Sequence, residues 1–205
     1  MNREQTVYVV DDDEGVRDGL GMLLETVGLS YEAFGSATEF LESYDPNSRG
    51  CLVLDIRMPK ISGLELQGLL SARGSDLPII FITGHGDIPM AVEAMRRGAM
   101  DFIRKPFREQ ELLDRINEAL DVELVRRKRA QERDALVSKI EALTEREKMV
   151  FEAVARGDMN KVIAIDLGIS ERTVEVHRAN VMRKIGVRTL AELIRIKIAA
   201  DALHD

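Results

Sequence analysis

Short apolar runs that end in charged or hydroxyl side chains are the features of this sequence that could do chemistry. Two of these runs, residues 7–10 and 51–54, end in carboxylates, those of Asp11-Asp12-Asp13 and of Asp55. Such runs between turn residues predict strands that are buried on both faces, as in a parallel sheet. If the strands are neighbours, their carboxyl ends bring the carboxylates together, and mutual repulsion then favours a bound cation. Oxygen ligands with room left for water suit Mg²⁺; the alternative is an Asp-rich loop that caps the next helix.

Two further predicted strands lead to a hydroxyl at Thr83 and to an ammonium at Lys105, which Pro106 follows. An acidic cluster, a central Asp, a Thr and a Lys-Pro in this order resemble the receiver domain of two-component response regulators. The resemblance covers about residues 6–121, and the motif at residues 83–95 narrows it to the FixJ-like subgroup.

The receiver resemblance implies a role for each acidic residue. Asp55 would accept a phosphoryl group. Asp12, Asp55 and the backbone carbonyl of Arg57 would bind Mg²⁺, while Asp11 would contribute charge and water-mediated contacts to the metal site. Asp13 is expected to be a solvated or helix-capping residue and not a ligand.

The same resemblance gives roles to the hydroxyl and the ammonium. Lys105 would neutralise the phosphoryl oxygens, and Thr83 would hydrogen-bond one of them. Since phosphoryl transfer has a loose transition state, positioning and charge neutralisation supply most of the catalysis. The Lys105–Pro106 bond is expected to be cis. Phe102 stands where the family carries a switch aromatic, and it would turn inward when Thr83 moves toward the phosphoryl group.

A dimer face is predicted on the helix that follows Thr83. Val92, Met95 and Arg96 lie near one another on this helix and are candidates for a symmetric contact. In a two-fold homodimer formed on phosphorylation, that contact is isologous. The alternative is that Val92 and Met95 pack inside the receiver.

Helical spacing of apolar residues joins the predicted strands. Helices are expected at residues 15–28, 36–44, 63–72, 88–98 and from 109, with Gly28 as the C-terminal stop of the first. Strands are expected at residues 7–10, 31–34, 51–54, 79–83 and 100–103. Alternating strands and helices indicate an α/β receiver, a doubly wound parallel five-stranded sheet of the CheY-like kind.

The charge of the chain is unevenly distributed. Residues 1–121 carry a net charge of −10, residues 122–143 of +2 and residues 144–205 of +1. The acidity therefore lies in the first domain and does not exclude nucleic-acid binding by the last. The single cysteine, Cys51, excludes an internal disulfide and fits a reducing compartment. Without a leader pattern or a run of about 18 apolar residues, a cytoplasmic protein with no membrane partner is expected.

Residues 122–143 contain neither Gly nor Pro, and their pattern predicts a helical linker between two domains. Its composition is typical of a solvated, semi-rigid spacer. A parallel coiled coil between protomers is the alternative, although Arg129 and Glu132 would fall on its best seam.

Residues 144–205 show repeated helix start and stop signals. Thr144 and Glu147 form a predicted capping box, while Asn160 and Ser170 are expected to cap two later helices. The expected helices end near Gly157 and cover residues 161–167, 171–185 and 190–203. A helix, a Gly-containing turn and a second helix predict an all-α helix-turn-helix domain, whose second helix enters the major groove of DNA.

The motifs of this domain, Leu143 to Glu147, Asn160 to Ala164 and Ser170 to Asn180, resemble the DNA-binding domain of the LuxR/NarL/FixJ type. Val174, Val181 and Ile185 share one face of the third helix and are expected in its core. The residues expected to reach base edges are Arg172, Glu175, Val176 and Ala179, and those expected at phosphates are Lys161, His177 and Arg178. Glu175 stands where the family often has Lys, and a solvated side chain is the alternative for it.

Together the resemblances imply a transcription regulator that is controlled by phosphorylation. A sensor histidine kinase would be the phosphodonor, Mg²⁺ the cofactor, and promoter DNA and RNA polymerase the partners of an activator. If the chain is a FixJ regulator, its kinase would sense oxygen through haem, and its targets would be nitrogen-fixation genes. It would be no enzyme beyond its own phosphorylation and dephosphorylation.

Two other functions are compatible with parts of this sequence. An aspartyl-phosphate hydrolase of the haloacid-dehalogenase type needs a second Asp two residues after the nucleophile, where this chain has Arg57. A DNA-binding regulator that acts without phosphorylation would not need the complete set of Asp12, Asp55, Thr83 and Lys105.

Overall fold

The computed structural model describes residues 5–84 and 88–201, and within them strands and helices alternate before giving way to helices alone. The elements of the first part are β1 (Thr6–Val10), α1 (Glu14–Thr26), β2 (Ser30–Phe34), α2 (Ala37–Ser43), β3 (Gly50–Asp55), α3 (Gly63–Ala72), β4 (Ile79–Thr83), α4 (Ile88–Arg96), β5 (Asp101–Arg104) and α5 (Glu109–Glu141). They are followed by α6 (Glu145–Arg156), α7 (Asn160–Leu167), α8 (Glu171–Ile185) and α9 (Leu190–Asp201). The motif residues His85, Gly86 and Asp87 and the expected helix end at Leu203 lie outside the described residues.

The strands form one parallel sheet in the order β2-β1-β3-β4-β5. All six residues of β3 and all five of β4 are buried, which explains why their sequences are unbroken apolar runs. The predicted α/β class with a five-stranded parallel sheet is therefore confirmed.

Helices cover both faces of the sheet, and each face has its own apolar core. On one face the core includes Phe40, Leu54, Leu66, Phe81 and Ala94. On the other it includes Val9, Leu24, Val53, Ile82 and Ile116. Consecutive residues of β3 thus enter opposite cores, as the alternation of side chains along a strand requires.

Two helices of the first part end shortly before a glycine with a left-handed backbone. Helix α1 ends at Thr26, before Gly28 with its left-handed backbone (φ +74°), and α4 ends at Arg96, before Gly98 (φ +88°). In α4 the amide of Ala99 donates to the carbonyl of Ala94, which closes the helix with a left-handed turn. Gly28 is thus the stop that the sequence predicts for α1, whereas the boundary predicted at residue 98 was wrong by two residues because Gly98 follows α4 instead of belonging to it.

Contacts divide the chain into two compact units, Met1–Arg127 and Lys128–Asp205, each of which is described by itself. Helix α5 continues through this division without a break. Residues 122–141 are helical, as the sequence indicates, whereas the role of residues 122–143 as a linker and the domain limits at 121 and 144 stay predictions. Among the helices of the described residues, none is both long and apolar enough to cross a membrane.

The second unit is built from the helices that follow Lys128. Its core contains the buried residues Val150, Phe151, Val174, Val181 and Ile185, and it also takes in Ile140 and Leu143. The capping box at Thr144 and Glu147 is present, with both reciprocal hydrogen bonds made. The predicted core face of α8 is therefore confirmed.

The expected cap at Asn160 was wrong. Helix α7 begins at Asn160 itself, and the preceding residue, Met159, makes no capping hydrogen bond. The side-chain oxygen of Asn160 instead accepts a hydrogen bond from Arg178 Nη1 at 2.6 Å, so it joins α7 to α8.

Candidate functional site

The register of the sheet brings four polar residues to one edge. Val10 pairs with Leu54, which puts Asp11 level with Asp55. On the other side of β3, Asp55 pairs with Ile82, so that Thr83 lies one residue further along. Lys105 follows β5 directly, and its amide donates to the carbonyl of Thr83 at 2.7 Å. The carboxyl ends of parallel strands are where open α/β sheets place their ligands.

Lys105 joins the two buried carboxylates of this edge. Its ammonium donates to Asp11 Oδ2 and, at 3.1 Å, to Asp55 Oδ1. Asp11 is 1% exposed and Asp55 6% exposed, so both are shielded from solvent. The Lys105–Pro106 bond is cis, as expected.

Burial opposes the charged form of Asp55 and of Lys105. It raises the pKa of Asp55 above its ordinary value, although the hydrogen bond and the charge of Lys105 act in the opposite direction. The charge of Asp11 adds to the rise. For Lys105, burial acts to lower the pKa, but the hydrogen bonds to Asp11 and Asp55 outweigh it and raise the pKa. Two carboxylates that share one ammonium leave an excess of negative charge at the site.

Backbone groups hold the second oxygen of each carboxylate. The amide of Arg57 donates to Asp55 Oδ2 at 2.7 Å, and the amide of Asp13 donates to Asp11 Oδ1 at 3.0 Å. Asp13 caps α1 through its own side chain, which accepts from the amides of Gly15 and Val16. Both buried carboxylates are therefore fixed in orientation, and the capping role expected for Asp13 is confirmed.

Gly63, the first residue of α3, lies directly against the Asp55 loop. Its amide donates to the carbonyl of Ile56 at 2.9 Å, and a Cβ at this position would collide with the carbonyl of Asp55. Only glycine permits this close approach of the two backbones. The start of α3 thus helps to place the phosphoacceptor candidate.

The donor set has the chemistry that Mg²⁺ requires. Asp11 and Asp55 supply carboxylate oxygens at one edge, Asp12 follows Asp11 with an exposed carboxylate, and the negative charge exceeds that of Lys105. Hard oxygen donors that leave room for water suit this ion. Within residues 5–84 and 88–201, however, no three acidic, His or Cys side chains already converge as a metal cluster. The assignment of Asp12 and the carbonyl of Arg57 as ligands stays a prediction.

The two switch candidates lie on neighbouring strands. Thr83 is 2% exposed at the end of β4, and Phe102 on β5 is half-buried and packs against the core that contains Phe81 and Ala94. The ring of Phe102 therefore already touches one core at its edge.

The predicted dimer residues are on the surface. Val92 and Met95 are each 45% exposed, and Arg96 is also exposed. This exposure excludes the alternative in which both apolar side chains pack inside the first unit. Whether the face forms a dimer stays a prediction.

In the second unit, the predicted base-reading residues share the exposed side of α8. Arg172, Glu175, Val176 and Ala179 are all exposed, with 55% for Val176. Exposed apolar and charged groups on one face of the second helix of a helix-turn-helix suit contact with base edges.

The candidates for phosphate contact differ in their solvent exposure and in their internal hydrogen bonds. Lys161 near the start of α7 is exposed, whereas Arg178 is partly buried by its hydrogen bond to Asn160. The Nδ1 atom of His177 is buried and has no hydrogen-bond partner among the described residues. Arg178 thus has an internal role that the sequence did not reveal.

Sequence reasoning also missed three polar residues that make internal hydrogen bonds. Arg17 donates to the carbonyl of Asp11 at 2.8 Å. Gln67, 3% exposed on α3, donates to the carbonyl of Ala94 at the end of α4. Glu123, 7% exposed on α5, accepts from Gln5. Each is a polar residue on an apolar helix face, which is the signal that could have marked it.

A doubly wound parallel sheet with an Asp–Asp–Lys cluster at its carboxyl edge, joined to a helix-turn-helix unit, defines a response regulator with a DNA-binding output. Comparison with protein families agrees. The family described as "Response regulator receiver domain" matches residues 7–117, and the family described as "Bacterial regulatory proteins, luxR family" matches residues 141–197.

Several curated proteins are similar along almost the whole chain. The response regulator protein TodT of Pseudomonas putida is 47% identical over 95% of this chain and 86% of its own length. The transcriptional regulatory protein FixJ of Azorhizobium caulinodans is 46% identical over 98% of this chain and 95% of its own. Nodulation protein W of Bradyrhizobium diazoefficiens is 49% identical over 93% of this chain and 84% of its own.

Solved structures are similar as well. The response regulator StyR shares 50% identity and a TM-score of 0.88, covering 94% of this chain and 98% of that one. Full-length FixJ from B. japonicum shares 40% identity and a TM-score of 0.59, covering 97% of this chain and 98% of that one. The chain therefore belongs to the response regulators that combine a receiver domain with a LuxR-type DNA-binding domain, a family of transcription regulators that interact with sensor kinases and DNA.

Proposed function

We propose that this chain is a transcription factor switched on by transfer of a phosphoryl group from a sensor histidine kinase to Asp55. One observation carries the proposal: Asp55 is a buried carboxylate at the end of a central strand and shares the ammonium of Lys105 with Asp11. In the transfer, the bond from phosphorus to the donor histidine nitrogen breaks as a bond to an Asp55 oxygen forms. The donor histidine takes the electron pair of that bond and leaves as neutral imidazole, because its other ring nitrogen carries a proton in the reacting phosphohistidine.

Each residue of the site has a part in this reaction. Asp12, Asp55 and the carbonyl of Arg57 would hold Mg²⁺, which neutralises phosphoryl charge, as it generally does in receiver domains. Lys105 and Thr83 supply an ammonium and a hydroxyl to the phosphoryl oxygens. The excess negative charge of the unphosphorylated site supports a need for the cation. The chain would thus catalyse only its own phosphorylation and dephosphorylation.

The output would be DNA binding by a dimer. Movement of Thr83 toward the phosphoryl group would let Phe102 turn inward, and the surface of α4 with Val92, Met95 and Arg96 would then pair with a second copy. Two helix-turn-helix units held together gain affinity for two half-sites through effective concentration. We propose promoter DNA and RNA polymerase as partners of this dimer, in the cytoplasm. Regulators with different names are 46–49% identical to this chain, so similarity favours no particular signal or gene set.

Intact mass spectrometry after incubation with acetyl phosphate and Mg²⁺ tests the proposal. The chain should gain one phosphoryl group, and Asp55→Asn should gain none, because the carboxylate nucleophile is gone. Labelling of Asp55→Asn at the normal rate would contradict the assignment. A wild-type chain that gains no phosphoryl group would favour a regulator that works without phosphorylation.

A hydrolase of the haloacid-dehalogenase type would instead turn the donor over without a lasting adduct. The geometry does not favour it, since the position two residues after Asp55 is Arg57, whose amide binds Asp55 and whose side chain is exposed.

A further inference from the structure

The turn between β1 and α1 carries Asp12, and hydrogen bonds fix the peptide group on each side of this residue. After Asp12, the amide of Asp13 donates to Asp11 Oδ1 at 3.0 Å. Before it, the carbonyl of Asp11 accepts from Arg17 Nη1 at 2.8 Å. The Cα atom of Asp12 is therefore held between two anchored peptide planes, one of them anchored by Arg17.

The carboxylate of Asp12 has no anchor of its own. It is exposed, and it forms no hydrogen bond or ion pair with any residue that the structure describes. The position from which this side chain leaves the backbone is consequently set by the peptide groups alone. Loss of either of the two hydrogen bonds would allow the Cα atom of Asp12, and with it the carboxylate, to move.

Arg17 is itself held in place. The residue is half-buried on α1, and a Cβ built on Gly35 would lie 3.6 Å from Arg17 Nη1, in ordinary contact. The guanidinium therefore packs beside the turn that joins β2 to α2, where the amide of Gly35 donates to Glu39 Oε2 at 2.8 Å. A planar, permanently charged group that reaches across two turns is what Arg provides and the shorter Lys does not.

We propose that Arg17 is a positioning residue for Asp12 as a Mg²⁺ ligand and acts through the Asp11–Asp12 peptide group. The inference rests on the proposed function, in which Asp12 and Asp55 hold the metal. Residues that orient the ligands of a metal typically change its affinity by about 10- to 100-fold. Simple electrostatics predicts the opposite sign, because removing a cation from the neighbourhood of a Mg²⁺ site strengthens the attraction of the site for the ion. The direction of the change therefore separates positioning from charge.

A Mg²⁺ titration of the unphosphorylated full-length chain, followed by the amide NMR signals of residues 11–15 and of Arg57, measures the dissociation constant without any reaction. Arg17→Met should weaken Mg²⁺ binding about tenfold, at the lower end of the range for such residues. The dissociation constant of Arg17→Lys should lie between those of the wild type and of Arg17→Met, because lysine restores a donor with a shorter reach. Arg73→Met is the charge-matched control: it also removes one cation, but an exposed one at the end of α3, where Arg73 makes only backbone hydrogen bonds to the residues that the structure describes.

An unchanged or smaller dissociation constant in Arg17→Met overturns the inference. So does a loss of affinity that Arg73→Met shares, or one explained by partial unfolding at the temperature of the titration, which a melting curve without Mg²⁺ reveals. At saturating Mg²⁺ the rate of phosphorylation by acetyl phosphate should return to that of the wild type. Failure of the proposed function looks different, since the wild-type chain itself would then show no Mg²⁺-dependent shifts or gain no phosphoryl group.

Discussion

The buried carboxylate of Glu147 should stabilise the second unit in a pH-dependent way. Glu147 is 4% exposed and accepts hydrogen bonds from Lys184 Nζ at 2.6 Å and from the amide of Thr144 at 2.8 Å. These bonds, that of Lys184 first, lower the pKa of Glu147 from 4.5 to about 2. Because the folded pKa is the lower one, the stabilisation is present above the unfolded pKa and is lost as the pH falls from about 4.5 to about 2.

The size of the effect follows from the shift. A pKa difference of this size corresponds to a contribution of roughly 3 kcal/mol to the free energy of unfolding at neutral pH. Because the side chain of Lys184 is 32% exposed, solvent screening reduces this contribution to about 2 kcal/mol. Glu147→Gln should lose this amount at pH 7 and show a flatter decline of the free energy of unfolding toward pH 2. The matched control is Glu145→Gln, which removes a carboxylate with an 83% exposed side chain that pairs with Lys148. That change should cost at most about 0.5 kcal/mol.

The assay must follow the second unit separately. All three tyrosines of the chain lie at positions 8, 31 and 44, so tyrosine fluorescence during urea unfolding reports on the first unit. Amide NMR signals of α6 and α8 report on the second. Equal pH dependence of unfolding in Glu147→Gln and the wild type would refute the reasoning, as would an equal loss in Glu145→Gln.

Three further predictions follow from the geometry. Gly63→Ala should destabilise the first unit by about 1–3 kcal/mol because its Cβ collides with the Asp55 loop, whereas Gly68→Ala, with open space around it in the same helix, should stabilise it by about 0.5–1 kcal/mol; urea unfolding followed by tyrosine fluorescence would contradict this if both changes had the same sign. Arg172→Ala should cost about 1–3 kcal/mol of specific DNA binding and relax preference at one base pair, while Lys161→Ala should weaken binding to all sequences and flatten its salt dependence; equal losses for Arg172→Ala on specific and random DNA would disprove the groove assignment. Val92→Asp should leave phosphorylation intact and keep the phosphorylated chain monomeric in sedimentation, because it buries a charge in the dimer face; a variant that still dimerises places the contact elsewhere.

Most of the first unit could be predicted because a strand that is buried on both faces has an unbroken run of apolar residues. The apolar runs that end at Val10, Asp55 and Thr83 gave the ends of three strands correctly, and these ends position the cluster. The exposed face of α8 could also be predicted, because apolar residues at helical spacing mark the opposite, buried face. Where one periodic pattern decides the structure, the sequence is sufficient.

Hydrogen bonds between a side chain and a partner on another element are not predicted by such patterns. Asn160 was expected to cap α7 and Arg178 to bind phosphate, but each is the partner of the other across two helices. No role for Arg17 was predicted, although its guanidinium donates to the carbonyl of Asp11. These partners depend on the crossing of elements in space, which the spacing of residue types does not encode.

The burial of Gln67 bears on how the proposed switch could work at low cost. Its amide nitrogen holds the carbonyl of Ala94 at the end of α4, while its Oε1 atom is buried without a hydrogen-bond partner among the described residues. An unsatisfied buried acceptor costs about 1–3 kcal/mol. This cost lowers the stability of the observed contact between α3 and α4 relative to any arrangement in which the oxygen finds a donor. The helix that carries Val92 and Met95 is thus joined to α3 through a glutamine that keeps one acceptor unpaired among the described residues. We therefore expect the proposed switch to need less free energy to shift this helix than it would need against a glutamine with both polar groups paired.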